Sequence, residues 1–336
     1  MDDKAVATPP VAPVTAPSRR VARLQALLTS HDLGVLGVLL ALVAFLSLRS
    51  DSFLSNQNLA NVARNFSWLA VVALGQSMVM IVGGIDLSVG ATLALAGLIA
   101  AHCMQIGLPV PLATLAGLGV GMAIGWVNGA TVARIRLPAF IVTLATMSIV
   151  RGIAYGLTSG WTVTGMPEEF LALGQRSVGL GSCSVPLPFV LALAMALLVH
   201  LLLSETVLGR YIYALSRGER ALRASGVNVV RLKELVYTLC GLLAAMGGLM
   251  MTARLGVAAP SAGLGNEVDV VAAVVIGGTS MFGGVGSTLG VLLGAALTQV
   301  LYNGLVLMGF SGHWQSVAIG AMILGAVLLD YWRRRR

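Results

Sequence analysis

A chain of 336 residues that is 57% hydrophobic and only 10% charged, with a mean hydropathy of +0.91, lies outside the range of soluble globular domains and belongs in a bilayer. The net charge of +8 does not point to nucleic acid, because Lys and Arg gather in a few loops and at the C-terminal end, as membrane orientation requires. Cys103, Cys183 and Cys240 stand far apart with no Cys-x-x-Cys and no His at ligand spacing, so they are expected to be packing thiols rather than a disulfide framework or a metal site.

Met1 to Ser18 is rich in Ala, Pro and Thr and lacks the basic region and short apolar core of a signal peptide. It is expected to be a disordered cytoplasmic tail. Next, Val21, Leu24, Leu27 and Leu28 fall at helical spacing beside Arg19, Arg20 and Arg23, the pattern of a short interfacial helix. Residues 1–32 therefore precede a membrane domain at 33–331, which a basic tail at 332–336 follows. A spanning helix needs about 20 apolar residues. On that rule the spans fall at 33–49, 66–83, 88–106, 110–133 and 138–157, then at 186–204, 235–253, 267–282, 286–308 and 313–331. The fold class is all-α, a polytopic bundle of about ten transmembrane helices, with Gly and Ala allowing close helix contact.

With the N-terminus on the cytoplasmic side and ten crossings, all but five of the 21 Lys and Arg residues fall inside. The five are Arg49, Arg64, Arg151, Arg176 and Arg254. Both termini are thus expected to be cytoplasmic. The outer loop from Thr158 to Leu187 carries Glu168 and Glu169 in the first turn of a short helix, Pro167 to Gly174. That helix reads either as a lid over the bundle or as a docking face.

Two glycine clusters interrupt the apolar runs, and they resemble each other weakly: Met80-Ile81-Val82-Gly83-Gly84-Ile85-Asp86-Leu87-Ser88 and Val274-Val275-Ile276-Gly277-Gly278-Thr279-Ser280-Met281. Asp86 is expected to cap a helix starting at Leu87, where backbone N–H groups and the helix dipole favour a carboxylate. Its other reading, with Ser88, is a polar lining or gate hinge, since an isolated carboxylate at membrane depth points to function. Gln76, Asn128, Thr143 and Asn303, with Thr146 and Gln315, are further polar residues within spans. Each is expected to bond a neighbouring helix, and as a set they are candidates for a weakly polar translocation path.

Between two spans, residues 205–234 form a polar, basic loop. Within it Glu219-Arg220-Ala221-Leu222-Arg223-Ala224-Ser225-Gly226 has helix formers closed by glycine, so a short helix at the membrane surface is expected. Such a loop can serve orientation alone or dock a partner.

These blocks carry a resemblance. Glu219, Ala221 and Gly226, with Ser225 beside them, match the Glu-x-Ala-x-x-x-x-Gly core of the coupling helix in ATP-binding-cassette importer permeases. Gly83-Gly84-Ile85-Asp86-Leu87-Ser88-Val89-Gly90-Ala91, then Leu137-Pro138-Ala139-Phe140-Ile141-Val142-Thr143-Leu144-Ala145-Thr146-Met147, then the Glu219 loop, then Ala272 to Ser280, resemble in order the permeases of the ribose, xylose and arabinose class of sugar importers. The match runs from about Asn56 to Asp330. It departs at Met281-Phe282, where a smaller polar segment is expected.

The resemblance implies a bacterial inner-membrane subunit that pairs with a second permease copy, a cytoplasmic ATPase and a periplasmic sugar-binding protein. It would move a monosaccharide or related polyol by alternating access. It also implies no catalytic residue, metal or cofactor in this chain, with ATP and Mg bound by the ATPase. Gly283-Gly284-Val285-Gly286-Ser287-Thr288 lacks the lysine of a phosphate loop and reads as a packing turn. The alternatives are a nucleoside permease of the same class, or a secondary transporter driven by an ion gradient through Asp86, Arg151 and Asp269.

Overall fold

The computed structural model describes residues 30–180 and 183–334, and these are helical almost throughout. The tail expected before residue 30, the interfacial helix at Val21 to Leu28 and the last two arginines lie outside the described residues.

In order, the helices are α1 (Ser30–Arg49), α2 (Asn56–Ile81), α3 (Val89–Gln105), α4 (Val110–Ala130, continued by a π-helical turn at Thr131–Ile135), α5 (Ala139–Thr158) and α6 (Glu168–Gln175). After a small antiparallel hairpin, β1 (Ser177–Leu180) and β2 (Cys183–Pro186), come α7 (Leu187–Glu205), α8 (Val207–Arg217), α9 (Glu219–Ala224), α10 (Val229–Leu255), α11 (Asn266–Ile276), α12 (Thr288–Leu307) and α13 (Gly312–Arg334).

Helix α10 forms the centre of the bundle. It packs most extensively on α4, and then on α2 and α3. The contact with α4 rests on a stripe of small residues, Ala113, Gly117, Gly121, Gly125 and Gly129, buried at every fourth position. A methyl group built on Gly117 would lie 2.7 Å from the Ala96 carbonyl oxygen of α3, and one on Gly129 would lie 2.7 Å from the Glu234 Cα of α10. Only hydrogen fits there, so the backbones approach closely enough for dispersion to hold helices that gain nothing from leaving lipid. The opposite faces of α4, α5 and α7 present Leu115, Ile141, Leu197 and Leu198 outward, as a lipid-facing surface requires.

A helix stands at each of the ten expected spans. Six of these, by length and apolarity among the described residues, can cross a bilayer alone: α1 from His31, α4 with its π turn, α5, α7, α10 and α12. Three of the other four, α2, α3 and α11, depart from the expected spans for legible reasons. Helix α2 starts at Asn56, ten residues before the expected span, because Ser55 caps it by accepting from the Asn58 N–H at 3.3 Å. Its first turns, NQNLANVARN, are polar. Helix α3 has 17 residues, and α11 stops at Ile276 after 11 residues instead of running to 282. At 1.5 Å per residue α11 is about 16 Å long, roughly half a hydrocarbon core.

Two other expectations change. The 205–234 segment is mostly helix: it holds α8, α9 and the first turn of α10. Asp86 does not cap a helix starting at Leu87; the helix starts at Val89 with Ser88 at its N-cap. The short outer helix forms, at Glu168–Gln175, and the antiparallel strand pair that follows it, Ser177–Leu180 with Cys183–Pro186, was not legible in the sequence.

Candidate functional site

The two glycine clusters adopt one geometry. After α2, Gly83 takes φ +84°, its N–H donates to the Met80 carbonyl at 2.9 Å, and the Gly84 N–H donates to Val79 at 2.9 Å. After α11, Gly278 takes φ +83°, its N–H donates to Val275 at 2.9 Å, and the Thr279 N–H donates to Val274 at 3.1 Å. Both are glycine-terminated ends that satisfy the last helix carbonyls, which explains the weak repeat without further symmetry.

Around the first break, side chains from four helices converge. Asp86 Oδ1 accepts from the Ser88 N–H at 2.8 Å and from Ser88 Oγ at 2.6 Å, an Asx turn that leads into α3. From α4, Asn128 Nδ2 donates to Ser88 Oγ at 2.9 Å and to Asp86 Oδ2 at 3.4 Å. From α5, Thr143 Oγ1 donates to the Ile85 carbonyl at 3.1 Å. From α2, the Gln76 amide faces the Asp86 backbone, and with its oxygen and nitrogen assigned by that pairing its NH2 donates to the Asp86 carbonyl at 3.0 Å and its oxygen accepts from the Asp86 N–H at 3.2 Å. Tyr237 of α10 brings its hydroxyl against Gly84, leaving no room for a larger residue there.

Gln76, Asp86, Ser88, Asn128 and Thr143 are all buried, at most 1% exposed. They are brought together as a closed polar knot that fixes the break, not as the wall of an open channel in this conformation. Asn303 stands apart. It exchanges amide hydrogen bonds with Asn58 at 2.7 and 2.9 Å, tying α12 to the start of α2.

The ionisable residues expected within spans are also separated from one another. Arg151 donates to the Pro260 and Ala262 carbonyls at 2.7 and 2.6 Å, and the Asp269 carboxylate accepts from the Tyr302 hydroxyl at 3.1 Å. Asp86 contacts neither.

The 205–234 segment is tied to the bundle and to itself at several points. Thr206 caps α8 by accepting from the Gly209 N–H at 3.1 Å, and α8 buries Gly209, Ile212 and Leu215 along one face. Helix α9 ends as the sequence indicates: Gly226 takes φ +87°, its N–H donates to Arg223 at 3.0 Å, the Val227 N–H donates to Leu222 at 3.3 Å, and Ser225 Oγ donates to Leu222 at 2.8 Å. Glu219 accepts from Arg223 at 2.6 Å within α9 and from Lys233 Nζ at 2.9 Å on α10. Those two cations hold its carboxyl below the ordinary glutamate range. Ala221 and Ser225 line a cleft of about 540 Å3 between α8 and α9, with Arg210 and Arg217 on its other side.

Sequence reasoning missed Lys233, Tyr237 and the Arg134–Glu234 pair at 2.5 Å, which joins the π turn to α10. A signal was present for two of them: Lys233 and Tyr237 are four residues apart, on one face of the helix that leaves the basic segment.

Comparison with known proteins now identifies the family. A family profile described as branched-chain amino acid transport system / permease component matches residues 58–327. The ribose import permease protein RbsC of Escherichia coli (strain K12) is 43% identical over 293 residues, covering 87% of this chain and 91% of that protein. The ribose import permease of Bacillus subtilis (strain 168) is 38% identical, over 87% of this chain and 90% of its own length. The xylose transport system permease XylH of Escherichia coli (strain K12) is 33% identical, over 90% and 92%. With a match of this extent, which includes both helix breaks and the 205–234 segment, the chain belongs to this permease family and is a membrane-embedded transport component.

Proposed function

We propose that this chain is the transmembrane subunit of an ATP-binding-cassette importer for a monosaccharide of the ribose type or a related polyol. The observation that carries the reading is its similarity, over nearly its whole length, to permeases named for ribose and xylose import. The geometry of the 205–234 segment supports it. Helix α9 is a short, well-terminated helix whose Glu219 is fastened to α10 by Lys233, so a push on α9 reaches a 27-residue helix at the centre of the bundle. The ATPase would dock on α9 near Glu219, Ala221, Ser225 and Gly226, and would bind ATP and Mg itself.

In this reading two copies of the chain enclose the path, a periplasmic sugar-binding protein delivers the substrate, and both termini face the cytoplasm of a bacterial inner membrane. The knot of Gln76, Asp86, Ser88, Asn128 and Thr143 acts as the hinge of the gate, while Asn303 braces α12. Each conformation is favoured in turn by the partner it binds better, which is alternating access.

The test is uptake of labelled D-ribose, D-xylose and uridine into proteoliposomes holding the permease, its ATPase and its binding protein. ATP-dependent accumulation of a pentose supports the reading. Accumulation of uridine alone assigns a nucleoside permease, and uptake driven by an ion gradient without ATP overturns the importer assignment.

A further inference from the structure

We propose that α8, which lies outside the coupling-helix block, is the lever that carries motion of the basic segment to the buried break at Asp86, with Tyr213 and Ser216 as its positioning residues. The inference rests on the importer reading. It adds the route by which a movement at the membrane face reaches the knot.

The route is continuous in contacts. The Tyr213 hydroxyl donates to the Gly286 carbonyl at 2.8 Å. One turn along α8, Ser216 presses on Gly283: a methyl group built there would lie 2.7 Å from Ser216 Cβ on one side and 3.0 Å from the Ile81 carbonyl oxygen on the other. Gly283 also takes φ +86°, so glycine is required by both space and backbone. The neighbouring Gly284 N–H donates to that same Ile81 carbonyl at 2.9 Å. Ile81 is the last residue of α2, five residues before Asp86. The loop 280–286 between the second break and α12 is therefore clasped between α8 and the first break. It is the piece through which the two glycine clusters meet.

A second strut runs in parallel. Glu219 bonds Lys233, and one turn further along α10 Tyr237 rests on Gly84. Both routes begin at the basic segment and end within Ile81 to Asp86.

The joints suit a lever. Helix α8 has 11 residues and sits between non-helical junctions at Thr206 and Gly218, so it can tilt as one body while α7 and α10 stay in place. Its grip on the bundle is one buried face, the Tyr213 bond and the Ser216 clasp. The break it reaches is held by side chains from four helices, and such a knot changes between discrete arrangements rather than by smooth deformation.

The test is hydrogen exchange at the Gly83 to Ser88 amides of the complex with its ATPase, with and without ATP plus vanadate, for wild type, Tyr213→Phe and Glu219→Ala. Wild type is expected to change exchange at these amides at least about threefold on trapping. Tyr213→Phe keeps the ring and loses only the donor. It is expected to retain the ATPase within about twofold of wild type while losing more than about half of that response. Ser216→Gly, which removes the side chain that presses on Gly283, is expected to shift the response in the same direction. A Tyr213→Phe response equal to that of wild type overturns the lever. Failure of the importer reading has a different signature: no ATPase is retained by wild type, or Glu219→Ala leaves its attachment unaffected.

Discussion

Asp86 shows how one residue type fixes a local structure. Its Oδ1 accepts from the backbone and hydroxyl of Ser88, and its Oδ2 from Asn128, so removing the carboxylate strands donors in a buried site. Asp86→Ala is expected to lower stability by about 1–3 kcal/mol, read as an earlier transition in a denaturing-detergent titration followed by circular dichroism. Tyr237 gives the converse case. Its hydroxyl is buried without a protein hydrogen-bond partner among the described residues, so Tyr237→Phe should cost less than about 1 kcal/mol in the same titration. Tyr237→Ala, which empties a volume against Gly84, should cost about 3–5 kcal/mol. Asp86, Ser88 and Gly83 were legible in the sequence because a carboxylate and paired glycines are costly inside an apolar run unless the helix ends there. Tyr237 was not, because an aromatic residue in an apolar helix looks like ordinary packing until its distant partner is placed.

At the scale of elements, the helices follow from apolar runs and their ends from glycine, and both could be read directly. How deep each helix reaches could not. Ser55 extended α2 into a polar stretch that no hydropathy rule includes, and Gly277-Gly278 cut α11 to half a span. The small-residue stripe on α4 makes the packing testable. Gly117 faces the α3 backbone, whereas a methyl group on Gly119 would meet nothing within 4 Å. Gly117→Leu is expected to cost about 3 kcal/mol or more and to abolish monodisperse protein on size exclusion, while Gly119→Leu changes stability by less than about 0.5 kcal/mol.

The ion pairs of α9 add a pH dependence. The Glu219 carboxyl is held below its ordinary 4.5 by Lys233 and Arg223. The stabilisation is therefore complete above 4.5 and is lost as pH falls through the lowered value. Both partners of these pairs are partly exposed, which limits each to less than about 1 kcal/mol. Attachment of the ATPase should accordingly be level from about pH 6 to 8 and weaken only on acidification below about 4.5, in a pull-down across pH.

For the whole molecule, the polytopic class, the order of the elements and the permease resemblance were all carried by composition and four motif blocks. What escaped was the long-range joining of those blocks: the Ile81, Gly284, Gly286 and Tyr213 contacts link residues more than seventy positions apart and leave no local trace. On the function proposed above, a chain joined in this way works as a transmission, with an ATPase moving α9 at one end and a gate hinged at Asp86 at the other. The most direct measurement is co-purification of the ATPase subunit with wild type and with Glu219→Ala, titrated to give an affinity for each. A stable complex is expected for wild type, and an affinity weaker by about tenfold, roughly 1.4 kcal/mol, for the variant. Wild-type protein that retains no ATPase in mild detergent, or a variant that binds it equally well, would contradict a transmission driven through α9.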